Sequence, residues 1–184
     1  MSGQATGAAA AGRFRDLYAD HYRSVLAYCL RRLPSHADAE DSVAEVFAVA
    51  WRRLDGAPAG SDALPWLYAV ARRVVGNADR TRRRRERLTA RVATRRDAEQ
   101  HSAAADSSAL VIDVLMRLRP VDQEVLRLAA WEGLQPREIA AVLGCSPNAA
   151  AIRLHRARER FREQFDPPPA ARPEALTAET RSAR

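Results

Sequence analysis

The sequence predicts an all-α protein of two small helical domains joined by a flexible linker. Three observations carry that expectation. Apolar residues recur every three or four positions through most of the chain, and no stretch shows the sustained alternation of a half-buried strand. Over residues 89–108 this pattern gives way to TARVATRRDAEQHSAAADSS, whose Ala, Ser, Thr and charges suit a boundary between domains. Near the C-terminus, PREIAAVLGCSPNAAAIRLHRARERF reads as a helix, a short Gly-containing turn and a basic helix, the helix-turn-helix arrangement. The 184 residues suffice for two such units and exclude a large multidomain enzyme.

Residues 1–12, MSGQATGAAAAG, have no periodicity and are expected to be disordered; they also lack the basic region and apolar core of a secretion signal. The first helix is expected from Phe14 to Leu33. Phe14, Leu17, Tyr18, His21, Tyr22, Val25, Leu26, Cys29 and Leu33 follow helical spacing, and Pro34 stops it. Ser35 and Asp38 form an S-x-x-D cap for a second helix with the stripe Val43, Val46, Phe47, Ala50, Trp51 and Leu54. Asp38, Glu40, Asp41 and Glu45 crowd its first half, where carboxylates suit the positive end of the helix dipole. DGAPAGSDALP, residues 55–65, is a loop by its Gly and Pro content. A third helix begins near Leu64 and turns Leu67, Val70, Ala71, Val74 and Ala78 inward, completing a first domain over residues 13–88.

The second domain, over residues 109–165, opens with Leu110, Val111, Val114, Leu115 and Leu118, breaks at Arg119-Pro120, and continues through Val121, Val125 and Leu128 to Gly133. A short helix with Ile139 and Leu143 inward ends at Gly144. Ser146 as N-cap and Pro147 at the first helical position start the last helix. Residues 166–184 are rich in Pro and Ala, without an apolar face, and are expected to form a disordered tail.

All 30 basic residues are arginine, set against 23 acids for a net charge of +7. Guanidinium pairs bidentately with phosphate and with guanine edges, so this balance favours a polyanionic partner. From Arg72 to Arg96 eleven arginines meet only Asp79 and Glu86, a local net of +9 that exceeds the charge of the whole chain. Arg72, Arg73, Gly76, Arg80 and Arg83 lie opposite the apolar stripe of the third helix, flanked by Trp66 and Tyr68, and arginine beside exposed aromatics suits unstacked bases. The alternative is that both aromatics complete the core and the arginines form a disordered tail. On the last helix, Ala150, Leu154, Ala157 and Phe161 face inward. The outward side carries Asn148, Ala149, Ile152, Arg156 and Glu159, flanked by Arg153, His155 and Arg160, with a net charge of +4 between Pro147 and Arg162. Such a face can reach base edges and phosphates, and Ile152 can offer apolar contact to a thymine methyl. A surface helix whose arginines only keep the protein soluble is the alternative there.

Catalytic constellations are missing: the four histidines sit in separate segments, and no H-E-x-x-H, Walker-type loop, G-x-S-x-G or dinucleotide glycine pattern occurs. Cys29 and Cys145 lack CxxC spacing and are expected to be reduced core or turn residues. No enzymatic activity, cofactor or metal is therefore expected. No apolar run approaches the roughly 18 to 20 residues of a membrane span, so a cytoplasmic protein without membrane insertion is expected.

Three stretches, DAEDSVAEVFAVAWRRL, PWLYAVARRVVGNADRTRRRRERL and LRPVDQEVLRLAAWEGLQPREIAAVLGCSPNAAAIRLHRARERF, together resemble the extracytoplasmic-function (ECF) class of bacterial RNA polymerase sigma factors, in that order and spacing. The likeness spans about residues 14–88 and 110–165. It implies a sigma two domain and a sigma four domain on a flexible linker that threads toward the active-centre and RNA-exit channels. It further implies that Asp41, Glu45, Ala48 and Arg52 dock on the clamp helices of the largest subunit of core polymerase. Arg72, Arg73, Asn77, Arg80 and Arg83 would then recognise and help melt the minus-ten element. Asn148, Ile152, Arg153, His155 and Arg156 would read the minus-thirty-five element of promoter DNA, while sigma four also contacts the flap of the second-largest subunit. Whether an anti-sigma factor is a further partner stays open. At Ala44, Arg73, Asn77 and Ala149 to Ile152 the chain departs from residues common in the class. Two competing readings are a stand-alone helix-turn-helix transcription regulator that dimerises through its N-terminal unit, and a helical adaptor that binds polymerase or nucleic acid without directing initiation.

Overall fold

The computed structural model describes residues 2–89 and 106–165, in which seven α-helices and two single 3₁₀ turns are the regular elements. Most of the linker expected over residues 89–108 and the whole tail 166–184 lie outside the described residues.

Helix α1 runs from Ser2 to Leu30, so residues 2–12, expected to be disordered, continue it instead. Alanine is the best intrinsic helix former and five of these residues are alanine, which offsets Gly3, Gly7 and Gly12 without an apolar stripe. At the other end the helix stops at Leu30, three residues before the expected Leu33, and Arg31 and Arg32 form a turn. Ser35 caps α2 (His36–Arg52), its Oγ accepting from the Asp38 amide at 3.0 Å. The loop expected at 55–65 holds both 3₁₀ turns, 54–56 and 60–62, before α3 (Ala63–Thr89). Helices α4 (Asp106–Arg117) and α5 (Pro120–Ala130) meet at Arg119, where the Pro120 ring ends one helix and begins the next.

Helix α6 (Pro136–Leu143) ends at Gly144, whose φ of 67° is the left-handed conformation that glycine alone adopts without steric cost. The Cys145 amide donates back to the Ala140 carbonyl at 3.0 Å, closing the helix end, and Ser146 Oγ then accepts from the Ala149 amide at 3.2 Å to open α7 (Pro147–Phe165).

Helices α1, α2 and α3 pack on one another, as do α5, α6 and α7, and α6 also packs on α3. The two units therefore share one apolar core. Val25, Tyr28, Val46, Leu67 and Ala71 of the first are continuous with Val125, Leu128, Ile139 and Leu154 of the second. Cys29 lies in this core, where burial drives its thiol up to about 11 although Arg32 opposes the shift; half-buried Cys145 sits at the turn after α6, and both are free. Several assignments need correction, and of the expected stripe residues Tyr18, Leu110, Val111 and Val121 are exposed. Trp51 is half exposed rather than inward, because its indole leans edge-on against Phe14 at 5.1 Å beside the core. Tyr68, expected to flank the arginine strip, is buried and stacked on Tyr28 at 5.2 Å, and Trp66 is half-buried against the core.

Candidate polymerase and nucleic-acid interfaces

Helix α2 buries Ala39, Ser42, Val43, Val46, Phe47 and Ala50. The spacing that buries them leaves Asp41, Glu45, Ala48 and Arg52 in one exposed line, at successive steps of four, three and four. A patch of aromatic rings borders α2, with Tyr18 against Phe47 at 4.6 Å and against Tyr22 at 5.1 Å.

On α3 the core side holds Leu67, Val70, Ala71, Val74 and Val75, and Arg72, Arg73, Asn77, Arg80 and Arg83 are all exposed. Ala78, expected inward, is only half-buried, and Val75 takes the place beside Val74. Neighbours in the arginine strip hold each other in place: Arg80 donates to Asn77 Oδ1, while Asp79 receives Arg82 and, at 2.8 Å, Arg83 Nε. Partial burial pushes the Asp79 carboxyl up, but the Arg82 hydrogen bond and the nearby Arg83 charge outweigh it and hold the group below the usual carboxylate range. Tyr68 therefore follows the alternative in which the ring completes the core, and Trp66 is half-buried against it.

On α7, Ala150, Leu154 and Ala157 are buried and Phe161 is half-buried, stacking on Phe165 at 5.8 Å. Asn148, Ile152 and Arg156 are exposed on the opposite side, and the flanking Arg153 and His155 are exposed as well. His155 Nε2 lies 3.3 Å from Glu159 Oε1, one turn further on. The helix is tied to α5 by Arg160, whose Nη1 donates to both oxygens of the buried Asp122 at 3.1 Å, and Arg119 Nε joins at 2.9 Å. Neither this tie nor the contacts of Arg31 and Arg32 described below had any periodic signal in the sequence. Among the described residues, no group of three or more His, Cys, Asp or Glu side chains is placed to hold a metal ion, and no helix is long and apolar enough to cross a membrane.

Comparison with known proteins gives the family of the chain. Residues 17–87 match Sigma-70 region 2 and residues 108–161 match Sigma-70, region 4. The chain is 35% identical over 156 residues to RNA polymerase sigma factor CarQ of Myxococcus xanthus, which covers 82% of this chain and 87% of CarQ. It is 31% identical over 155 residues to ECF RNA polymerase sigma factor SigL of Mycobacterium tuberculosis, covering 80% of this chain and 86% of the relative. The chain belongs to the ECF class of RNA polymerase sigma factors. The fold of this sigma factor is also that of solved structures. CnrH, in complex with the cytosolic domain of CnrY, superposes with a TM-score of 0.56 at 29% identity over 83% of this chain and 87% of that one. RpoE, in complex with the anti-sigma factor NepR from Bartonella quintana, gives a TM-score of 0.63 at 23% identity over 83% and 96%. As a sigma factor the protein binds core RNA polymerase and directs promoter-specific initiation, and α2 with α3 falls in region 2 while α4 to α7 fall in region 4.

Proposed function

We propose that the three exposed faces divide the work of initiation. Asp41, Glu45, Ala48 and Arg52 dock on the largest polymerase subunit. Arg72, Arg73, Asn77, Arg80 and Arg83 take the minus-ten element as its strands separate, and Asn148, Ile152, Arg153, His155 and Arg156 read the minus-thirty-five element while the same domain meets the second-largest subunit. The observation that carries this reading is that every one of these side chains is exposed, while the apolar positions between them form the core. A helix that needed those residues for folding would bury some of them.

Docking precedes promoter reading, in the cytoplasm, where polymerase and DNA are. A protein partner of the kind seen with RpoE and CnrH fits the same class, and would regulate this chain by covering one of the faces. No catalytic step is assigned to the chain itself; polymerase supplies the chemistry. The reading is tested by polymerase-dependent transcription from a promoter library randomised over both elements, with the transcripts sequenced. Arg72→Ala and Arg73→Ala should alter preference or opening at the minus-ten positions alone, and Arg156→Ala at the minus-thirty-five positions alone. A stand-alone regulator would bind its site tightly without polymerase and produce no new transcripts with it.

A further inference from the structure

The contact between the two units has an unusual chemistry. Arg32, in the turn after α1, has a side chain only 5% exposed. Its Nε and Nη2 donate to the two carboxylate oxygens of Glu124 on α5 at 3.0 and 3.3 Å, and its Nη1 donates to Glu132 at 2.9 Å. The guanidinium lies 3.5 Å over the Tyr28 ring, and the Tyr28 hydroxyl donates to Glu124 at 2.9 Å. Arg31 adds a bond to Glu132 at 3.1 Å and lies 5.9 Å over Trp131, whose ring also faces Arg127 at 5.8 Å. Burial first, and then the Glu124 charge, raise the Tyr28 hydroxyl far above the usual phenol range, so it stays a donor.

This network selects one geometry more than it strengthens the contact. Taking charges out of water costs several kcal/mol per ion, and an ion pair recovers that only if every polar atom is satisfied. Here the Glu132 side chain is wholly buried with Oε2 unpartnered, and Nε of Arg31 and Nε of Arg127 are likewise buried without partners. Beside the apolar core that the two units share, this part of the interface is specific and can be broken.

It must also be broken for the proposed reading to operate. The minus-ten and minus-thirty-five elements are separated by roughly 25 base pairs, or about 85 Å at ~3.4 Å per pair. A compact body of roughly 150 residues has a radius of gyration of ~15 Å and is about 40 Å across. With the units packed on one another, α3 and α7 cannot reach both elements at once, although each face is open to solvent.

We propose that Arg31, Arg32 and Tyr28 on one unit and Glu124 and Glu132 on the other form an autoinhibitory latch, which holds the free sigma factor closed and must open before both promoter elements are engaged. The proposal rests on the assignment of α3 and α7 to the two elements. Opening costs the closed chain some of its affinity for a full promoter complex, in proportion to the fraction that is open.

The test uses the full chain and the variants Arg32→Ala and Glu132→Gln, the second of which keeps the side-chain shape. Helicity is followed by circular dichroism, the radius of gyration by small-angle scattering, and initiation with core polymerase at limiting sigma factor. Both variants should keep their helicity and expand. If about one wild-type molecule in ten is open, initiation from a promoter with both elements should rise by up to about tenfold. Binding of a duplex carrying only the minus-thirty-five element should not change, because the α7 face is exposed in the closed form. Unchanged dimensions in both variants, or expansion without a rise in initiation, would overturn the latch. Loss of helicity in both would make the pairs structural and overturn it as well. A failed face assignment reads out separately: no protein, wild type or variant, would then prefer the minus-thirty-five duplex over a scrambled one.

Discussion

Replacing Asp122 with asparagine tests how the recognition helix is held. The residue is 3% exposed on α5, between Arg160 of α7 and Arg119. At a separation of about 4 Å and an effective dielectric of ~20, each charge pair gains roughly 4 kcal/mol. Desolvating the carboxylate returns several kcal/mol of that sum. The guanidinium side chains are 66% exposed for Arg119 and 38% for Arg160, so water also screens the pairs. A net loss of about 2 to 3 kcal/mol remains, in the range of hydrogen bonds to charged groups. In a body of this size each kcal/mol moves the melting temperature by about 2 to 4 °C, so Asp122→Asn should lower it by about 4 to 12 °C. The assay is thermal unfolding followed by circular dichroism, beside transcription from the randomised promoter library. Overall minus-thirty-five-dependent output should fall, while preference among bases stays the same, because Asp122 lies on the core side of α7. A melting shift below about 1 °C would show that the carboxylate contributes nothing to holding the helix and would falsify this account.

Reversing Asp41 and Glu45 to arginine should weaken binding of core polymerase at least tenfold, the loss of one close interfacial charge pair, while surface placement keeps the stability change within about 0.5 kcal/mol. Equilibrium binding and a denaturant melt measure the two, and a loss of helicity would make both residues structural. Arg156→Ala should cost about 1 to 3 kcal/mol, concentrated at one minus-thirty-five position, if it pairs with a base, whereas a phosphate contact would weaken all promoters alike and reduce the salt slope by about one. Ile152→Ser should matter mainly at a thymine position and scarcely alter salt dependence; unchanged base preference in both variants would assign the wrong face to DNA. Of the two thiols, Cys145 should react quickly with a disulfide reagent and Cys29 only on unfolding, and equal rates would contradict the buried position of Cys29. Because the fold keeps the Cys29 thiol neutral up to about 11 against an ordinary value of 9.0, its contribution is intact below pH 9.0 and is lost as pH rises through that window; Cys29→Ala should flatten the alkaline decline.

Helical periodicity, the Ser35 cap, the Pro120 break and the Gly144 turn were all legible in the sequence, because each depends on residues within a turn or two of one another. The same local rule separates buried from exposed positions on α2, α3 and α7, whereas the choice of Asp41, Glu45, Ala48 and Arg52 as the docking set comes from the family resemblance. Its misses lie where a neighbour outside the helix decides. Tyr68 is stacked in the core on Tyr28, forty residues earlier in the chain, and Trp51 lies against Phe14 at the edge of the core. Residues 2–12 show the converse, helix formed on alanine propensity where no apolar stripe announces it. Only the tertiary structure could pair Arg32 with Glu124 and Glu132, 92 and 100 residues away, or Arg160 with Asp122, 38 residues away. A charge on a helix surface carries no mark of its partner. Whether it is solvated or buried against an opposite charge depends on how two units pack, and that packing brings Arg31 and Arg32 to Glu124 on α5 and to Glu132 in the turn after it.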